Sequence, residues 1–386
     1  MRHDTSQSET AIIAVSGYYG CGNAGDEAVL AGIKEAFRRT AGSSVRLVPL
    51  SQNTQATREL HGLDAENRMD MRVVRAVLQK SDLLLSGGGS LLQDTTSLRS
   101  LLYYLWVVRM AVNLRKPVMF YAQGMGPFRR PLARWLVRKI ANRVSYITVR
   151  DEPSARLLAS IGVSGPPVEV TADPAFALTS APREMIESCW EKESLPTSYR
   201  PKIGVALRSW GTQHEAQVEE YAALLSVLDG RTGADIILIP MQLPGDADFS
   251  DEVSQRAGKQ YPMVRSLYSP ETLLGVVGRM DAVVAMRLHT LIFAARMNVP
   301  PFALAYDPKV ENLMRGLGLS DSLASWTDFS PQDVAERVRS LLDNRAARSA
   351  ALRERSSSLE RLGLRNAEIA LSLLQNRRTG RENVKK

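Results

Sequence analysis

Ala11-Ile-Ile-Ala-Val-Ser16 runs directly into Gly17-Tyr-Tyr-Gly-Cys-Gly-Asn-Ala-Gly-Asp-Glu27, and the reading of this junction decides the fold. The first six residues are a short apolar run of β-rich composition, the glycines permit a tight turn, and a helix opens near Asp26. Similar β-rich runs recur at 45–49, 82–86, 118–122, 145–149 and 168–171, separated by longer helical patterns. The second half repeats the theme at 203–207, 235–240, 282–285 and 302–305. Such alternation predicts an α/β protein whose parallel sheets are covered by helices.

A chain of 386 residues exceeds the size at which a single core usually stops growing. The pattern accordingly predicts two Rossmann-like domains, at 1–178 and 202–345. Residues 179–201 lose the strand pattern and contain Pro182, Pro196 and Pro201, which suits a linker. A charged C-terminal helix is expected over 346–376, and packing back on the first domain is one arrangement open to it. The tail from Arg377 reads as a frayed basic end.

With 44% hydrophobic and 23% charged residues, the composition is that of a globular protein rather than a disordered or fibrous one. The longest apolar run, 101–108, is far short of the roughly 20 residues that span a bilayer. The polar N-terminus lacks a hydrophobic signal core, so the expected location is cytoplasmic. Cys21 and Cys189 are the only cysteines and show no zinc spacing. The formal charge of +8 attracts anions, whether nucleic acid, lipid headgroups or phosphorylated substrates. Between Arg129 and Arg143 there are six basic residues and no acidic one.

Ligands of open parallel sheets bind beyond the carboxyl ends of the strands, so the loops there hold the candidate residues. In the first loop the glycines allow a ligand to approach backbone N–H groups at a helix N-terminus. It fits neither the dinucleotide nor the P-loop fingerprint. Asn23 is its best ligand contact; Asp26 and Glu27 either contact a ligand or simply complement the helix N-terminus. Cys21 has no evident partner base and reads as a small loop filler. The loop Ser86-Gly-Gly-Gly-Ser-Leu-Leu-Gln-Asp94 also follows a strand. Asp94 is a candidate base toward a sugar hydroxyl, or else a cap or a bond to a neighbouring loop. Gln123 opens a third loop, Gln123-Gly-Met-Gly-Pro127.

Arg150 ends the strand at 145–149, where a guanidinium can hold carboxylate or phosphate by two parallel hydrogen bonds. Its alternative is a salt bridge to Asp151 or Asp173. Arg287-Leu-His289 ends an apolar run ahead of a helix, and a histidine with an ordinary pKa near 6.5 can donate a proton at neutral pH beside an anion. Arg208 and Lys309 sit at equivalent strand ends, giving a cationic set suited to a small, highly charged anion. His3, His61 and His214 lack such settings and read as surface residues, while Glu271 behind Ser269-Pro270 reads as a first-turn acid.

Gly17-Tyr-Tyr-Gly with Asn23 and Gly25-Asp-Glu27, Ser86-Gly-Gly-Gly-Ser with Leu91-Leu-Gln-Asp94, and Arg287-Leu-His289 resemble, in order and spacing, the polysaccharide pyruvyl transferase family. The likeness runs from about Ile12 to Leu341 and is closest to the bacterial CsaB-type cell-wall branch. Cys21-Gly22 departs from that pattern. The resemblance implies a GT-B-like arrangement with an active site in an interdomain cleft, the acceptor on the first domain and phosphoenolpyruvate on the second. It implies pyruvyl transfer to a lipid-linked amino sugar, N-acetylmannosamine in a secondary cell wall polymer precursor. The product would be a 4,6-ketal that serves surface-layer (S-layer) anchoring. Arg150, His289 and Lys309 match its functionally important positions.

On this reading His289 is the general acid, and Arg150, Arg208, Arg287 and Lys309 hold the donor's carboxylate and phosphate. Asn23, Asp26, Glu27, Asp94 and Gln123 face the acceptor. No cofactor is required, and no metal-ligand cluster is evident in the sequence. If 131–140 is helical, Leu132, Trp135, Leu136 and Ile140 share one face while Arg130, Arg134 and Arg138 lie on another. That pattern is compatible with peripheral contact at the anionic inner face of the plasma membrane, or with a helix packed on the sheet with a solvated basic side. One rival function is a nucleotide-sugar-dependent glycosyltransferase of the same architecture. A nucleic-acid-binding module is disfavoured, because aromatics are not interleaved on a basic face.

Overall fold

The computed structural model describes residues 10–384 except Thr96, with side chains only through Arg377. Residues 1–9, including His3, and the last two residues of the basic tail lie outside the described residues. The chain divides into two compact units. The first holds the residues up to Cys21, Val29–Ala177 and the chain from Arg361 onward; the second holds Gly22–Ala28 and Leu178–Glu360.

The first unit carries seven parallel strands: β1 (Ala11–Tyr19), β2 (Val45–Ser51), β3 (Glu66–Asn67), β4 (Leu83–Ser86), β5 (Val118–Gln123), β6 (Tyr146–Val149) and β7 (Val168–Val170). Their order is β3-β2-β1-β4-β5-β6-β7. The second unit carries β8 (Lys202–Ala206), β9 (Asp235–Leu238), β10 (Ala282–Ala285), β11 (Pro301–Ala305) and β12 (Leu323–Ser325), ordered β12-β11-β10-β8-β9 and likewise parallel. Every residue of β4 and of β10 is buried, as expected of strands covered on both faces.

All ten β-rich runs expected from the sequence are strands. The two additions, β3 and β12, are edge strands of two and three residues, too short and too polar to leave a hydrophobic pattern. Residues 179–201, read from the sequence as a linker without strand pattern, hold no strand. They contain the helix Arg183–Lys192, which buries Ile186, Cys189 and Trp190 and counts with the second unit. The prolines do not prevent this: Pro182 stands at the N-cap and the Pro196 carbonyl accepts from Trp190 Nε1 at 3.0 Å.

The last helix, Arg345–Val384, is continuous, and its residues from 361 onward count with the first unit. Asn366 Oδ1 accepts from Thr171 Oγ1 at 2.8 Å, and Ala367, Ala370 and Leu374 join a core with β1 and β4. Glu271 stands in the first turn of Pro270–Val277 behind Ser269, whose hydroxyl caps Thr272 N. His61 corrects the surface expectation: it ends the helix Thr54–His61 on a face that is buried. Among the described residues no helix is long and apolar enough to cross a membrane.

Candidate functional site

In the second sheet the succession of strands reverses between β8 and β10, the switch point beside which ligands of such folds bind. Arg208 follows β8, Arg287 follows β10, and Lys309 follows β11, so the three cations leave three neighbouring strands.

Arg208 lies against a pair of rings in mutual contact: its guanidinium carbon is 4.8 Å from the Trp210 ring centre and 5.0 Å from that of Tyr306, and the two centres are 4.8 Å from each other. One terminal nitrogen donates to the Tyr306 hydroxyl at 3.0 Å. Its Nε is buried without a hydrogen-bond partner among the described residues, none of which offers Arg208 a carboxylate at ion-pair distance. Aromatic faces hold a cation without neutralising it, so Arg208 keeps its full charge for a ligand. Lys309 Nζ lies 5.6 Å from the same Tyr306 ring and 3.4 Å from Asp307. Asp307 also caps the helix Pro308–Gly316 by accepting from Lys309 N at 3.0 Å.

Arg287 is bound differently. It makes a two-pronged contact with Asp246, one prong at 2.8 Å, and a longer one to Gln242 Oε1 at 3.4 Å. Asp246 Oδ2 accepts as well from the backbone N–H groups of Met241 and Gln242, both at 3.1 Å. Arg287 therefore fastens the 241–246 loop to the end of β10, and much of its charge is answered.

His289 is half-buried in the first turn of the helix Leu288–Arg296. A Cβ on Gly25 would come within 2.3 Å of its Nδ1, so only glycine fits there. Gly25 belongs to Gly22–Ala28, which is tied to the loop after β9: Ala24 N donates to Met241 O at 2.7 Å and Leu243 N to Gly22 O at 3.3 Å. Asn23 Oδ1 accepts from Gly25 N at 2.9 Å and from Asp26 N at 3.4 Å, capping the helix Ala24–Ala41. Asp26 and Glu27 fill the first turn of that helix, Asp26 half-buried and Glu27 buried. All three thus count with the second unit rather than with the first domain where the sequence put them.

The remaining candidates stand at the carboxyl ends of β4, β5 and β6. Arg150, only 7% exposed, lies 3.3 Å from the buried Asp173 and 3.5 Å from Asp151, and donates to Ser90 Oγ at 3.1 Å. A Cβ on Gly124 would fall 2.7 Å from its guanidinium. Both salt bridges weighed from the sequence are present. Gln123 is fully buried; its Nε2 donates to Ser86 Oγ at 2.7 Å and to the Ser86 and Gly87 carbonyls at 3.1 and 3.2 Å. Its Oε1 has no hydrogen-bond partner among the described residues. The preceding Ala122 has φ 47°, a conformation costing on the order of 1 kcal/mol for a residue with a Cβ, and it coincides with the irregularity in β5.

Asp94 is buried, and its two oxygens accept from Arg129 N at 2.7 Å and Arg130 N at 2.8 Å. Burial pushes its pKa up, but the two N–H groups and the Arg130 charge prevail and hold it below the ordinary carboxylate value. This is the bond to a neighbouring loop that the sequence left open. Cys21 Sγ lies 3.6 Å from the Tyr19 carbonyl, and His214 pairs with Glu252 at 2.6 Å on the surface.

Sequence reasoning missed Trp210 and Tyr306, though both stand within three residues of a flagged cation, and the Asp246 partner of Arg287. It also missed Arg68, which is buried among Tyr18, Tyr103 and Tyr104 and donates to Gly17 O at 3.1 Å. Nothing in the sequence around Arg68 signals its burial. Among the described residues no three His, Cys, Asp or Glu side chains converge as a metal site.

The profile of the polysaccharide pyruvyl transferase family matches residues 23–308. The amylovoran biosynthesis protein AmsJ of Erwinia amylovora is 20% identical over 253 residues, covering 61% of this chain; the chain spans about 60% of that relative's length. Among solved structures, a UDP-N-acetylglucosamine 2-epimerase homologue from Listeria monocytogenes superposes with a TM-score of 0.65 at 11% identity, covering 94% of this chain and 96% of its own. Alr3699/HepE of Anabaena, solved with UDP-glucose, gives 0.59 at 13% identity, covering 95% and 99%. At these identities the likeness is one of fold, the two-domain α/β fold of GT-B-like enzymes.

Proposed function

Since the chain belongs to the polysaccharide pyruvyl transferase family, we propose that it transfers a pyruvyl group from phosphoenolpyruvate to two hydroxyls of a polysaccharide building block, releasing phosphate. The observation that carries this reading is Arg208, a cation held by Trp210 and Tyr306 with no carboxylate among the described residues to neutralise it, beside Lys309. A small donor bearing both carboxylate and phosphate suits that pair.

The proposed reaction protonates the methylene carbon of the enol while one sugar hydroxyl attacks the neighbouring carbon. The second hydroxyl then displaces phosphate. Of the two hydroxyl protons, one is accounted for in the new methyl group and one leaves with phosphate, so the ketal forms without oxidant or reductant. His289 is assigned the proton donation, with Gly25 fixing its ring. Arg208 and Lys309 hold the donor, and Arg287 assists with the N–H groups that Asp246 and Gln242 leave over. Arg150 keeps its place as a donor-binding cation, although its pairing with Asp173 makes its removal legible in stability as well as activity.

On the acceptor side Gln123 offers an unpartnered oxygen, Asp94 works by fixing the turn at 129–130, and Asn23, Asp26 and Glu27 line a helix N-terminus. For the acceptor itself we propose the lipid-linked amino sugar of the CsaB-type branch, N-acetylmannosamine, with a 4,6-ketal product. Phosphate release from phosphoenolpyruvate is measured with and without a synthetic lipid-linked disaccharide ending in that sugar. Acceptor-dependent release that disappears in His289→Ala supports both donor and acid; no release with that acceptor discards the sugar; release unaffected by the substitution discards His289.

A second reading, a nucleotide-sugar glycosyltransferase, is favoured by the fold shared with a protein solved with UDP-glucose. Saturation by UDP and not by phosphoenolpyruvate would establish it in place of the first.

A further inference from the structure

The helices Leu98–Asn113 and Pro131–Ala141 lie side by side on one face of the first sheet. The second turns its small side inward: Ala133, Val137 and Ala141 are buried, while Leu132 and Trp135 are each 53% exposed. This corrects the sequence expectation in part. The helix does pack on the sheet, but Leu132 and Trp135 are not on the face it packs with. On the first helix Leu102 and Trp106, one turn apart, are 43% and 40% exposed. Folding gains nothing from apolar side chains left in water, and four on two adjacent helices are more than scattered surface hydrophobics require.

The two helices and the chain between them carry charge of one sign. Residues 95–149 contain ten lysines and arginines and no aspartate or glutamate. Lys139 Nζ lies 4.8 Å over the Trp135 ring, keeping a cation beside the exposed aromatic. Between Leu98–Asn113 and the helix Met71–Lys80 runs a groove of about 540 Å³ lined by Arg75, Trp106, Arg109, Met110, Asn113 and Leu114. Its two guanidiniums have no carboxylate partner among the described residues, and its wall is otherwise mainly apolar.

We propose that this face of the first unit docks on an anionic phospholipid bilayer, with Trp106 and Trp135 at headgroup level and the groove seating one lipid phosphate between Arg75 and Arg109. Exposed tryptophan and leucine beside unopposed basic residues fit both layers of a membrane interface, the acyl boundary and the charged headgroups. A nucleic acid would satisfy the arginines but leave Leu102 and Leu132 without a partner. The inference rests on the proposed lipid-linked acceptor only for its purpose; binding itself is read without any substrate.

The test is co-sedimentation of the full chain with phosphatidylcholine vesicles and with vesicles also containing phosphatidylglycerol. Wild type is expected to sediment with the anionic vesicles and to stay in solution with the neutral ones. Trp106→Ser with Trp135→Ser lowers the bound fraction on the order of tenfold, because each ring loses its apolar burial. Arg134→Glu with Arg138→Glu, which keeps both tryptophans, lowers it comparably through charge alone. All four positions are exposed and only Arg134 gives up a hydrogen bond, to the Phe128 carbonyl at 3.0 Å, so thermal melting is expected to stay close to the wild-type value. Undiminished sedimentation of both variants, equal sedimentation with neutral vesicles, or displacement from anionic vesicles by duplex DNA each overturns the proposal. Lost vesicle binding with intact phosphate release on a soluble acceptor separates this surface from the catalytic reading.

Discussion

Arg150 in the first unit and Arg208 in the second follow strands in the same way and look alike in sequence, yet their surroundings are opposite. Arg150 packs against two carboxylates and a serine hydroxyl, so much of its charge is engaged in holding Asp173, Asp151 and Ser90 together. Arg208 meets two aromatic rings and a phenol, which orient it and leave its charge available. How much of a strand-end cation's charge is left for a ligand therefore depends on its neighbours, and a cation held by buried carboxylates must fail in stability when removed.

The largest effect is expected where that hold is broken. Arg150→Met removes the guanidinium from beside the buried Asp173, which keeps the Ala175 N–H, and should lower the free energy of unfolding by about 3–5 kcal/mol in a denaturant titration. Adding Asp173→Asn should restore at least half of it, and whatever activity stays lost in the double variant measures the direct role of Arg150. Arg208→Met inverts the pattern: kcat/KM for phosphoenolpyruvate falls on the order of 10²–10³-fold, about 3–4 kcal/mol, while unfolding changes by no more than about 1 kcal/mol. A stability loss as large as that of Arg150→Met would erase the distinction.

Gly25→Ala sharpens the comparison inside the second unit. Its methyl would meet the His289 ring at 2.3 Å, so the ring moves and kcat drops roughly 10–100-fold with KM for the donor little changed. The smallest effect belongs to the first unit. Asp94→Ala frees the N–H groups of Arg129 and Arg130 and costs about 2 kcal/mol of stability. Because the folded pKa of Asp94 is lowered, its contribution is complete above the ordinary carboxylate value of about 4 and fades as pH falls through the lower folded value. Wild type and Asp94→Ala should thus converge in stability only in acid, as thermal melts across pH would read.

Both sheets were legible because their central strands are continuous apolar runs followed by glycines or capped helices, as at 82–90 and 282–289. The strands that escaped, β3 and β12, bury too little to leave a pattern. The helix Arg183–Lys192 escaped because three nearby prolines read as punctuation, when one sits at a helix start and another only lends a carbonyl. In the candidate site, the proposed residues were chosen from their positions at strand ends alone. Partners could not be: nothing in the sequence pairs Arg287 with Asp246, 41 residues away, or brings Trp210 and Tyr306 together against Arg208. Charge availability is a property of such distant neighbours, so the ranking of the cations had to come from geometry.

The most direct test is a binding titration of wild type and Arg208→Met with phosphoenolpyruvate, and of wild type with UDP. Wild type should saturate with phosphoenolpyruvate, Arg208→Met should bind it at least tenfold more weakly while staying folded, and UDP should not saturate the site. Saturation by UDP, or unchanged phosphoenolpyruvate affinity in Arg208→Met, would contradict the assignment of the donor to this cation.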